Sequence, residues 1–127
     1  MLELSSYDYA VVRVVPAVER EEFLNVGVIL FCRTRRYLAA AIDLDEGRLA
    51  RLAPGLDVAQ VRRHLELIVR VCAGEGTIGR LGQAEAFHWL VAPHSTVIQT
   101  SPVHSGLCTD PAATLRRLLA VTVTARG

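Results

Sequence analysis

The chain of 127 residues contains no lysine: all 14 of its basic side chains are arginine. Chemistry that needs a side-chain amine is therefore excluded for this chain acting alone. That covers the lysine of phosphate-binding loops, the strand lysine of kinases, pyridoxal-phosphate and other Schiff-base enzymes, and Ser-x-x-Lys acylases. Long apolar runs are missing too. The longest stretch free of polar side chains is Val26 to Cys32, far short of the roughly 20 residues that span a bilayer. The opening Met1-Leu2-Glu3-Leu4 places an acid where a secretory signal needs basic residues followed by an apolar stretch. Asn25 is the only asparagine, so there is no Asn-x-Ser/Thr acceptor. Cys32, Cys72 and Cys108 are an odd, widely spaced set among apolar or small neighbours, which fits reduced thiols better than a disulfide framework. A cytoplasmic protein without membrane association is expected.

What is present describes one globular unit. A mass of 13.9 kDa with 51% hydrophobic and 21% charged residues and net charge +1 indicates a single domain over residues 1–127. Such a chain buries about two-thirds of its unfolded surface without needing metal or disulfides. Residues 1–25 carry five acids against two arginines, and residues 26–82 nine arginines against six acids. The asymmetry is modest and does not by itself mark a nucleic-acid surface.

Tyr7 to Val15 reads as a strand stopped by Pro16, with Tyr7, Tyr9, Val11, Arg13 and Val15 on one face and Asp8, Ala10, Val12 and Val14 on the other. Ala17 to Leu24 reads as a short acidic helix or loop. Val26 to Cys32, apolar on both faces, predicts a central strand, and Tyr37 to Ile42 follows after a polar turn. Asp45 is placed to cap a short helix through Leu52. Asp57, with Gln60 three residues on, opens the clearest helix, with Val58, Val61, Leu65, Ile68, Val69 and Cys72 in one stripe and Leu67 opposite it. Gln83 to Val91 leans towards helix, Thr96 to Ser101 alternates as a fourth strand, and Asp110-Pro111 starts a last helix. The expected fold class is α+β: a four-stranded, mostly antiparallel sheet with helices packed on one face.

Motifs of chemistry are few. Gly74-Glu75-Gly76-Thr77-Ile78-Gly79 matches GxGxxG, but the dinucleotide mechanism needs a strand before it and a helix N-terminus after it. A helix precedes it here, so a glycine-terminated helix and loop is the reading. His64, His88, His94 and His104 and the cysteines show no metal-ligand spacing, and no metal or cofactor is expected. No GxSxG elbow occurs, and neighbouring Ser, His and Cys residues do not by themselves make a nucleophile and base. Arginines between residues 33 and 70 could touch phosphates, yet acids are interleaved among them and only seven aromatics exist to stack bases. The stretch from Pro93 to Gly106 alternates hydroxyls, Gln99 and two histidines with apolar residues, a surface suited to orienting a ligand or a partner's backbone.

Three runs carry a resemblance: Tyr7 to Gly27 (strand, proline, acidic residues, Asn-Val-Gly), Trp89-Leu90-Val91-Ala92-Pro93, and Ser95 to Gly106. Over nearly its whole length the chain resembles a bacterial family catalogued as domain of unknown function 3037. Family members tend to carry arginine where this chain has His94. The family has no established activity, and its members are often encoded beside a HipA-like kinase-fold protein, which implies an accessory or partner role.

The leading expectation is thus a non-catalytic accessory or interaction domain acting with a neighbouring, kinase-like protein, with self-association as a further option. The alternative is a small ligand-binding domain or enzyme using the Ser95–His104 strand with Arg13 and Asn25. The candidate ligand- or partner-binding residues are Arg13, Asn25, His94, Ser95, Gln99 and His104. Arg13, a charge in mid-strand, is expected to be paired and partly buried. Weak nucleic-acid binding through the arginines of residues 33–70 stands third. Any proton transfer falls to histidine, cysteine or a carboxylate, since a guanidinium does not give up its proton.

Overall fold

Two strands carry the fold. In the computed structural model, which describes residues 3–17, 22–93 and 97–124, β1 (Ser5–Ala17) and β2 (Glu22–Cys32) pair antiparallel along most of their lengths. After a 3-10 turn at Arg33–Arg35, β3 (Tyr37–Ile42) adds antiparallel to the far side of β2. The other side of β1 is covered by two short antiparallel strands set end to end, β4 (Ile98–Thr100) against Val12–Val14 and β5 (His104–Cys108) against Ser5–Tyr9. The sheet is therefore four strands wide although it holds five strands, in the order β3-β2-β1-β4/β5. An α+β protein with an antiparallel sheet is what the sequence predicts.

Between β3 and β4 lie α1 (Glu46–Leu52), α2 (Val58–Cys72), a single turn α3 (Gly76–Gly79) and α4 (Gln83–Val91). After β5 comes α5 (Pro111–Leu119), which runs into a π-helical turn at Ala120–Thr124. Val12, Val14, Ile29, Phe31 and Ile98 on the sheet pack with Leu49, Val61, Leu65, Ile68, Phe87 and Leu90 of α1, α2 and α4. The opposite face carries its own core, in which Tyr7, Val28, Leu30, Cys32 and Cys108 meet Leu115 and Leu118 of α5. Here the structure differs from the one-faced arrangement expected: helices cover both faces. β2 is apolar on both sides, so each side must be buried, and four helices on one side leave the other to α5.

Smaller differences have equally local causes. β1 does not stop at Pro16 but runs to Ala17, because the register shift between Val14 and Ala17 places the proline where a strand can tolerate it. Glu22 to Leu24 are strand, not helix or loop, and the rest of that connection, 18–21, lies outside the described residues. In α2, Val71 is buried and Val69 is 40% exposed, so the buried stripe is turned slightly from the predicted one. Gly74 and Gly76 adopt φ of 90° and 76°, and a Cβ on Gly79 would lie 2.6 Å from the Gly74 carbonyl carbon. The GxGxxG match is a tight turn between helices.

Candidate functional site

The register of the sheet decides which polar side chains meet. Arg13 of β1 pairs with Asn25 of β2 on one side and Gln99 of β4 on the other. Directly paired residues share a face, so three of the six expected binding residues form one row across three strands. A β-bulge makes this possible. Val12 pairs with Gly27 but Arg13 pairs with Asn25, so β2 holds Val26 as an extra residue, which rephases Asn25 onto the face of Arg13. Val26 itself joins the core on the opposite side.

The row lies on the face covered by α5. Asn25 Nδ2 donates to the Thr122 carbonyl at 3.1 Å, tying the π-helical turn to β2. The Arg13 guanidinium carbon sits 4.3 Å from the centroid of the Phe23 ring, itself 50% exposed. The expected partner of Arg13 is therefore an aromatic face. Among the described residues no carboxylate pairs with it, and its Nε is buried without a hydrogen-bond acceptor. Phe23 is not legible from sequence as a partner of Arg13, because its segment reads as helix or loop. The signal available was its place two residues from Asn25, the same-face spacing of a strand.

The remaining candidates divide. His104 is on the same face but pairs with Tyr9, with ring centroids 5.4 Å apart. That is four residues along β1 from Arg13, about 13 Å at the usual strand rise, so His104 does not join the row. His94 and Ser95 lie outside the described residues. Ser101 faces inward as a structural group.

On the other face a trough runs between α2 and β4. A cavity of about 350 Å³ bordered by Asp57, Gln60, His64 and Val97 adjoins one of about 250 Å³ bordered by Ile68, Trp89, Leu90 and Thr100, and the two share His64 and Ile98. The Asp57 carboxylate here is already the cap of α2. The trough is mostly apolar.

Nucleophilic chemistry is poorly served by the thiols. All three cysteines are buried, and burial pushes Cys72 up to about 12 and Cys108 above its ordinary value, with Cys32 adding to the latter. The Cys72 and Cys108 thiols therefore stay protonated at neutral pH. No group of three His, Cys, Asp or Glu among the described residues is placed to hold a metal ion. Several arginines of residues 33–70 are engaged within the chain. Arg35 donates to Ser5 Oγ and the Glu3 carbonyl, Arg62 forms a two-point pair with Glu46, and Arg33 lies over Phe31. No helix of the described residues is long and apolar enough to cross a membrane.

Residues 9–123 match the model of a family described as protein of unknown function (DUF3037). No curated protein and no solved structure matches the chain.

Proposed function

The chain belongs to the DUF3037 family, and we propose that it is a non-catalytic binding domain acting with a partner, with the Arg13–Asn25–Gln99 row receiving an anionic group. The observation that carries this reading is the buried Arg13 Nε, which meets no acceptor among the described residues. A buried donor left unsatisfied costs about 1–3 kcal/mol, and an incoming acceptor removes that cost. Phe23 stacked on the guanidinium fixes its plane, and a fixed guanidinium edge suits the two parallel hydrogen bonds of a carboxylate. Asn25 and Gln99 flank Arg13 in register on the neighbouring strands. The accessory character rests on the family resemblance, which points to a neighbouring HipA-like kinase-fold protein as the first partner to test.

Copurification with the tagged chain from the native host, at near-physiological salt, tests the reading. Wild type recovers a specific partner, and Arg13→Gln, checked for native circular dichroism, recovers about tenfold less, as expected for a lost charge-assisted pair. Recovery of no partner, or equal recovery by both proteins, counts against it. A small organic acid in place of a protein carboxylate is the second reading, favoured by the half-exposed Phe23 ring beside the guanidinium. It requires a thermal shift with simple carboxylates that disappears in Arg13→Ala.

A further inference from the structure

We infer that the outer edge of β3 is a self-association surface, occupied by β3 of a second copy of this chain paired antiparallel across a two-fold axis. The two edges of the sheet differ. The β4/β5 edge is interrupted at residues 101–103, where Pro102 offers no N–H. β3, Tyr37-Leu38-Ala39-Ala40-Ala41-Ile42, runs without a bulge, every residue in register with β2 from Cys32 back to Gly27. Exposed edges are ordinarily blunted by a charge, a proline or a bulge, and β3 has none of these. Among the described residues its outer side pairs with no strand. Leu38, Ala40 and Ile42 join the core on one face, and Tyr37, Ala39 and Ala41 join that of α5. The three alanines leave the backbone between the two layers unobstructed, an open row of donors and acceptors that fits a strand.

The charges at its ends identify which strand. Arg33, Arg35 and Arg36 precede β3, and Asp43, Asp45 and Glu46 follow it. Opposed residues of an antiparallel pair point to the same side, so the two-fold falls on Ala39 or on Ala40. Either centre sets the basic turn of one copy against the acidic segment of the other, twice in each dimer. Parallel pairing of the same strands sets like charge against like. Arg36 and Asp43 are both exposed and stand near one another's copies in both registers. Beside the strand a cavity of about 120 Å³ is lined by Ile42, Leu44, Leu65 and Val69, and Val69, 40% exposed, gives the incoming copy an apolar margin.

Sedimentation velocity on the full chain tests this. Wild type is a dimer that weakens as salt rises, and Arg36→Asp or Asp43→Arg each weaken it about tenfold through two lost pairs and two new repulsions. The double variant R36D/D43R restores it. Aspartate suits the left-handed backbone at position 36, where φ is 49°, and among the described residues Asp43 uses only its backbone N–H, donated to the Val26 carbonyl, so both variants keep the fold. Amide exchange in Tyr37–Ile42 slows with chain concentration. A wild type that stays monomeric at millimolar concentration overturns the inference, as does a dimer indifferent to all three variants or one protected at His104–Cys108 instead.

Discussion

Ser101 is the one buried polar residue among those described, and its hydroxyl substitutes for a backbone carbonyl. Val11 donates its N–H to Ser101 Oγ at 2.9 Å, and Ser101 returns its own N–H to the Val11 carbonyl at 2.8 Å. This pair bridges the break between β4 and β5, where the ordinary ladder fails. Ser101→Ala leaves the Val11 N–H buried without its acceptor and is expected to cost about 1–3 kcal/mol, read as a lowered urea midpoint with unchanged slope. Cys72 gives a residue-scale pH dependence. Folded, it holds its proton up to about 12, against 9.0 for an unperturbed thiol. Its contribution is therefore complete below about pH 9 and falls as pH rises towards 12, because the unfolded thiol ionises first. Unfolding free energy measured from pH 8 to 11 declines in wild type and declines less in Cys72→Ala.

At the scale of elements, helix starts were the most legible feature. Asp45, Asp57 and Asp110 each accept from the amide three residues on, at 2.9, 3.1 and 3.2 Å. These short-range bonds depend on residue type and spacing alone, which is why sequence identifies them. Asp57→Ala is expected to lower stability by about 1 kcal/mol, and Asp57→Asn by only a few tenths, both measurable by thermal denaturation. Strands were harder to read. β5 is not legible as a strand because Pro102 precedes it and Gly106 interrupts it, and both residues read as loop. The structure fills the glycine's place with the Tyr7 ring, since a Cβ on Gly106 would come within 2.6 Å of the Tyr7 hydroxyl. Gly27 is constrained in the same manner. Its Cβ would lie 2.7 Å from the Ala41 carbonyl oxygen, backbone that cannot step aside, whereas Gly55 faces open space. Gly27→Ala is expected to destabilise by about 1–3 kcal/mol in urea unfolding, with Gly55→Ala near neutral.

For the molecule as a whole, the sheet is a shared wall between two cores, and its intrinsic probes fall on opposite sides. Tyr7, Tyr9 and Tyr37 all belong to the layer under α5, and Trp89, the sole tryptophan, is on α4 in the other layer. β1 and β2 contribute side chains to both cores, so neither layer can lose its packing while the other keeps its sheet. Trp89 fluorescence and the near-ultraviolet dichroism of the tyrosines are expected to report one coincident unfolding transition. Separated midpoints would mean that α5 and its layer come away independently.

Sequence by itself determined the α+β class, the capped helices and the doubly apolar β2, because these follow from local hydrogen bonds and from side-chain periodicity. It also singled out Arg13 as a charge in mid-strand, and Asn25 and Gln99 as candidate binding residues. Only the tertiary structure decided that these three form a row, that His104 stands apart from it, that α5 covers the second face, and that β3 is an unblunted edge. Each of those outcomes hangs on register between distant segments. A single extra residue, Val26 in the β2 bulge, sets the face on which Asn25 emerges, and one-residue register shifts reverse every side chain beyond them. The absence of lysine keeps one meaning through all of this. Every cation that lines the row or the ends of β3 is a guanidinium, permanently charged and shaped for paired acceptors.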